Sequence, residues 1–227
     1  MKILFVGTIL LLEAITLTGQ PLYTVADLGP VNWYDESIAA TNNRGQVASY
    51  CRVDSMFTAC VYDRGRTNVL GIPWNSRAYG LNERGDVVGS FITPDGVGHP
   101  FFHRKGTTID LGEFCTSDEG AAYAVNNRGQ AVGYTVLEGG YLAAALWENG
   151  EVYELGQCTE PPLPGLFLTA TDINNNGEII CWTFALFNPY YQHAFLLTPI
   201  HHYRPPPPRL SGRSAPFWAA AKEARRR

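Results

Sequence analysis

Seven aromatic side chains stand out as candidate ligand-binding residues: Trp33, Tyr34, Trp74, Phe114, Tyr141, Tyr190 and Tyr191. The stretches around them also carry Asp35, Glu36, Asp95, Glu113, Asp118, Glu119, Glu138 and Glu160. Flat rings with polar edges beside carboxylates suit the stacking of sugar rings, or the surface of a protein partner. Covalent chemistry has no comparable signature. The chain contains no G-x-S-x-G, no H-E-x-x-H and no P-loop, so no catalytic residue and no cofactor is assigned. Asp27, Asp110 and Glu154 each precede Leu-Gly, and such recurrence points to a structural hydrogen bond at a strand end. The histidines are scattered, no C-x-x-C occurs among the five cysteines, and no D-x-D-x-D-G loop is present, so no metal site is assigned.

What must position these residues is a repeat. The turn Asn-x-(Arg/Asn)-Gly-(Gln/Asp/Glu) occurs at Asn42–Gln46, Asn82–Asp86, Asn126–Gln130 and Asn174–Glu178, at intervals of 40, 44 and 48 residues. A period of this size marks a repeat architecture. The Asn side chain caps a type I turn, and Gly supplies the left-handed residue that closes the hairpin. A short run precedes each turn. A second apolar strand follows it: Val47-Ala48-Ser49, Val87-Val88-Gly89, Ala131-Val132-Gly133 and Ile179-Ile180-Cys181. A third strand covers Thr58–Tyr62, His99–His103, Ala143–Trp147 and His193–Leu197, and a fourth ends at Gly71, Gly112 and Gly156. The last copy lacks a fourth strand, whereas Tyr23–Gly29 is an orphan of that type at the other end. The expectation is all-β: a small four-bladed β-propeller of about 42-residue repeats, the N-terminal strand completing the last blade and removing both sheet edges. An open β-solenoid or a β-sandwich is the alternative.

Three strings carry a family resemblance: Tyr23–Gly29 (Tyr-x-Val-x-Asp-Leu-Gly), Asn126–Gly133, and His193–Leu197 followed by Thr198-Pro199. They resemble the bacterial extracellular HAF-repeat family, of which the chain looks like a divergent four-copy member between Tyr23 and Ile200. Thr58-Ala59-Cys60 and Ala143-Ala144-Ala145 depart from its His-Ala-Phe, and Val69 departs from its Asp. The resemblance implies export and architecture, and no reaction.

Three regions follow. Residues 1–20, with Lys2 before the apolar run Ile3–Leu12, read as a signal peptide. Residues 21–200 form the repeat domain, and 201–227 a Pro- and Arg-rich tail read as disordered. Apart from the leader, no run approaches the ~20 apolar residues of a membrane span. The overall charge of −4 divides into an acidic body and a basic tail, and no nucleic-acid partner is expected. Five cysteines in an exported chain leave disulfides and buried thiols as equal alternatives.

In a propeller the Asn-turns and the third-to-fourth turns share one face, which collects Arg44, Arg64, Arg66, Arg84, Arg104, Lys105 and Arg128. The longer loops, including Arg52–Phe57, Ile92–Gly98, Leu137–Leu142 and Ala185–Gln192, lie opposite with the aromatic residues named above. Variable loops on a rigid scaffold are the usual place for recognition. The expected function is therefore a secreted or envelope-exterior protein that binds an extracellular ligand, polysaccharide or surface protein, through its long-loop face. A cell-envelope scaffold, or a hydrolase or lyase at the central channel, are the other readings.

Overall fold

A computed structural model of the chain describes residues 40–112, 119–137, 140–162, 167–185 and 188–200, with backbone alone for 184–192. The signal and tail regions, the strand Tyr23–Gly29, and the candidates Trp33, Tyr34 and Phe114 lie outside the described residues.

Fifteen strands form four antiparallel sheets, one per repeat, and there is no α-helix among the described residues. Sheet 1 contains β1 (Ala40–Thr41), β2 (Val47–Val53), β3 (Met56–Asp63) and β4 (Arg66–Val69), paired in that order. Sheet 2 contains β5 (Ser76–Leu81), β6 (Val87–Ile92), β7 (Gly98–Arg104) and β8 (Thr107–Asp110). Sheet 3 repeats the order with β9 (Gly120–Val125), β10 (Ala131–Val136), β11 (Leu142–Glu148) and β12 (Glu151–Glu154). Sheet 4 has three strands: β13 (Thr169–Ile173), β14 (Ile179–Ala185) and β15 (Asn188–Leu197). The fourth copy thus lacks a fourth strand within the described residues, as its sequence requires. No helix there is long and apolar enough to cross a membrane.

Cores form between successive sheets. Ala48 and Ala59 pack with Ala78, Val87, Phe91 and Phe101, while Val88 and Phe102 pack with Ala122, Ala131, Ala145 and Trp147. Val132 and Ala144 pack with Ala170, Ile173, Ile179 and Cys181. Sheets 2 and 3 are buried on both faces, which is why β6 and β10 open on continuous apolar pairs rather than alternation. Close approach explains their glycines: a Cβ on Gly89 or Gly133 would overlap the carbonyl oxygen of Arg77 or Ala121 on the neighbouring strand.

The Asn-turns close the hairpins as expected and also stitch the sheets together. In each copy the Asn Oδ1 accepts the backbone N–H groups two and four residues on, for example Arg84 and Asp86 onto Asn82, both at 2.9 Å. The amide donates in two directions. Asn42, Asn82 and Asn126 each give one hydrogen bond within their own turn, to Gln46, Asp86 or Gln130. Each gives the other to the carbonyl oxygen of the next turn's Asn, at 3.0, 2.9 and 3.0 Å. Two acceptor and two donor sites are all in use, a pattern only an amide side chain can satisfy. A second row runs alongside: the N–H groups of Asn43, Glu83 and Asn127 donate to the side chains of Glu83, Asn127 and Asn175.

Two expectations need correction, and one open alternative is decided. Two of the supposed long loops are tight connections: β2 and β3 pair to Val53↔Met56, and β14 and β15 pair to Ala185↔Asn188. Antiparallel pairing satisfies the backbone regardless of side chain, so it extends over residues expected in loops, and Tyr190 and Tyr191 lie on a strand. The turn face is of mixed charge, because Asp86 holds Arg104 in a two-bond ion pair at 2.7 Å and Glu83 and Glu148 accept neighbouring amides. The four described cysteines are free. Burial pushes the Cys181 thiol up to about 12, so it behaves as a small apolar side chain.

Candidate functional site

The first strand of sheets 2, 3 and 4 carries a bulge, and the extra residue is Tyr79, Tyr123 or Thr171. A bulge leaves one residue outside the ladder and re-aims its side chain. Here it frees Tyr79 and Tyr123 to form an aromatic row with Tyr134 of β10. The ring centroids of Tyr79 and Tyr123 are 5.4 Å apart, and those of Tyr123 and Tyr134 are 5.8 Å apart. Ser90 Oγ donates to the Tyr79 hydroxyl at 3.3 Å.

Where the row reaches sheet 4, the bulged residue is the smaller Thr171, and a groove of about 600 Å³ opens. Tyr123, Tyr134 and Trp182 line it together with Glu119, Leu142, Leu168, Thr169, Thr171 and Thr183. Trp182 is 41% exposed. The lining therefore combines apolar faces, hydroxyl groups and one carboxylate, the mixture that a polyhydroxylated ligand needs.

Burial raises the phenol of Tyr123 above its ordinary value, and the neighbouring Tyr134 and Tyr79 add to that. Tyr134 is raised as well, by burial first and then by the Glu119 carboxylate and Tyr79. Both phenols stay protonated across the physiological range. They can donate and accept hydrogen bonds, and they are unsuited to act as general bases.

Of the aromatic residues singled out in the sequence, Trp74 and Tyr141 have described side chains, and they stand at different places. Trp74, 37% exposed, stacks on Phe91 at 5.2 Å, and Phe91 stacks on His99 at the same distance. His99 Nδ1 in turn meets Asp110 Oδ2 at 2.9 Å, and Asp110 Oδ1 accepts the Gly112 N–H, the structural role expected of that carboxylate. Trp74 thus caps the end of sheet 2. Tyr141, 72% exposed, stands in the β10–β11 loop directly before the groove residue Leu142. Sequence reasoning missed Tyr123, Tyr134 and Trp182. A signal existed: three residues before the turn Asn stand Ala39, Tyr79, Tyr123 and Thr171, a position that varies while its neighbours repeat.

Fold and groove together define an all-β repeat protein of four small stacked sheets with an aromatic, hydroxyl-rich cleft. Comparison of the chain with protein-family models, curated proteins and solved structures returned no match.

Proposed function

We propose that this chain is an exported, non-enzymatic repeat protein, akin to the HAF-repeat family, that binds polysaccharide in the groove between sheets 3 and 4. The carrying observation is the convergence of Tyr123, Tyr134 and Trp182 with three threonine side chains on one open cleft. Aromatic faces stack on the apolar faces of sugar rings while hydroxyl groups meet their edges. Glycoside hydrolysis ordinarily uses two carboxyl groups flanking the scissile bond. Among the described groove residues Glu119 is the one carboxylate, which favours binding over hydrolysis.

The same proposal includes a closed four-bladed ring, completed by Tyr23–Gly29 pairing beside β15. Two features support it. Ile180 is 40% exposed, whereas Ala48, Val88 and Val132 at the equivalent place in the other sheets are 0% exposed against the following sheet. The turn ladder also has complementary ends: Asn174 and Asn175 stand where a next turn would accept, and Asn42 and Asn43 where a preceding turn would donate.

Titration of soluble oligosaccharides into the full chain tests the binding assignment. Trp182→Ala and Tyr123→Ala are each expected to weaken the bound glycan by about tenfold, with the strand circular-dichroism signal retained. A glycan bound equally well by both variants, or no glycan bound at all, would sink the assignment.

A further inference from the structure

The part of the chain that builds sheets 3 and 4 is one-sided in charge. Among the described residues from Glu119 to Ile200 there is a single Lys or Arg, Arg128, against seven carboxylates: Glu119, Glu148, Glu151, Glu154, Glu160, Asp172 and Glu178. Arg128 sits at the Asn-turn, where its guanidinium approaches Gly177 of the next turn. Glu119, by contrast, lies on the groove wall and is exposed. It is close enough to Tyr134 for its charge to act on that phenol. Three of the wall residues beside it, Tyr123, Tyr134 and Trp182, are aromatic, and the faces of such rings attract cations. A carboxylate and three π-systems on one cleft, in a half-molecule of negative potential, repel anionic ligands and favour positive ones.

We infer that the ligand of this groove is a cationic glycan, an amino-sugar polymer with free amines, selected by Glu119 and the aromatic wall. The inference rests on the glycan reading above and sharpens it to a ligand class. Uronic-acid polymers are excluded by the same charge, and neutral glycans keep only the stacking and hydroxyl contacts.

Three hexamers separate the possibilities: glucosamine, N-acetylglucosamine and galacturonate, each titrated calorimetrically into the full chain in mildly acidic buffer, where sugar amines carry a proton. Glucosamine hexamer should bind about tenfold more tightly than the N-acetylated hexamer at low salt, and galacturonate should not bind. Glu119→Gln should reduce that preference to about twofold, as should 0.5 M salt, where the screening length falls to about 4 Å. Trp182→Ala should weaken both aminated and acetylated ligands.

Equal or tighter binding of the acetylated hexamer overturns the cationic preference and leaves the glycan reading standing. Failure of all three hexamers overturns both. A preference that survives Glu119→Gln removes Glu119 from the role assigned to it. Unchanged glucosamine binding by Trp182→Ala reduces the effect to adsorption on an acidic surface and overturns the site.

Discussion

At the scale of single residues, Asn42, Asn82 and Asn126 use both the oxygen and the nitrogen of their side-chain amides twice. Asn82 is buried and uses its amide for two donated and two accepted hydrogen bonds, one of them to the next sheet. Asn174 is exposed, and its amide bonds within its own turn to Glu178. Asn82→Ala should therefore cost about 3 kcal/mol in urea unfolding and Asn174→Ala about 1 kcal/mol; equal losses would show that the inter-sheet bond contributes little. The ion pair beside Asn82 has a pH signature. Burial alone would raise the Asp86 carboxyl, but the hydrogen bonds from Arg104 and Asn82 outweigh it and hold the group below the usual range. A depressed folded value contributes stability above the unfolded value near 3.9, and that contribution is lost as the pH falls through the folded value. Arg104 is 40% exposed, so solvent screens part of the pair. Arg104→Ala should therefore be less stable than the parent by about 2 kcal/mol at pH 7, the gap narrowing as the pH falls below about 4. A gap independent of pH would mean that Arg104 acts by packing, for instance over the Phe102 ring at 4.9 Å.

At the scale of elements, the repeat was legible in detail. Gly45, Gly85, Gly129 and Gly177 all take the left-handed conformation that the turn reading demanded of them, with φ between 72° and 87°. The strands that follow them begin on the residues expected, Val47, Val87, Ala131 and Ile179. Loop lengths were less legible, because strand pairing depends on backbone groups that every residue shares. The bulges were not legible at all: a one-residue mismatch between paired strands leaves little trace in either strand alone. Yet the bulges turn Tyr79 and Tyr123 toward one another. Gly133 pairs with Ala122 beside one bulge, where its missing Cβ lets the Ala121 carbonyl approach. Gly133→Ala should destabilise the protein by about 3 kcal/mol and weaken the proposed glycan binding through displaced Tyr123. Normal binding with normal stability would show that the sheet relaxes around a methyl group without moving the row.

At the scale of the whole molecule, packing runs from sheet to sheet, and sheet 4 carries an apolar outer face. Ile180 and Leu196 pair across β14 and β15 and point to one side, with Leu196 62% exposed. A chain lacking residues 1–30 should lose the strand that would complete this sheet. It should unfold at lower urea and self-associate in proportion to concentration, as unpaired strand edges do. A truncated chain as stable and monomeric as the full one would remove Tyr23–Gly29 from the proposed ring. The candidate site was the least legible feature at this scale. Trp74 and Tyr141 lie at the ends of different sheets, whereas Tyr123 and Trp182, 59 positions apart, line one cleft.

The amino-acid sequence by itself determined the four repeats, their turns and the all-β class, because hairpins are set by local rules: a capping amide, a left-handed glycine and a run of apolar residues. Only the tertiary structure decided that the same amides would tie each sheet to the next and that the bulged Tyr123 would meet Tyr134 and Trp182 in one cleft. Those features depend on how neighbouring sheets approach, and that distance is set by side chains some forty residues apart packing against one another.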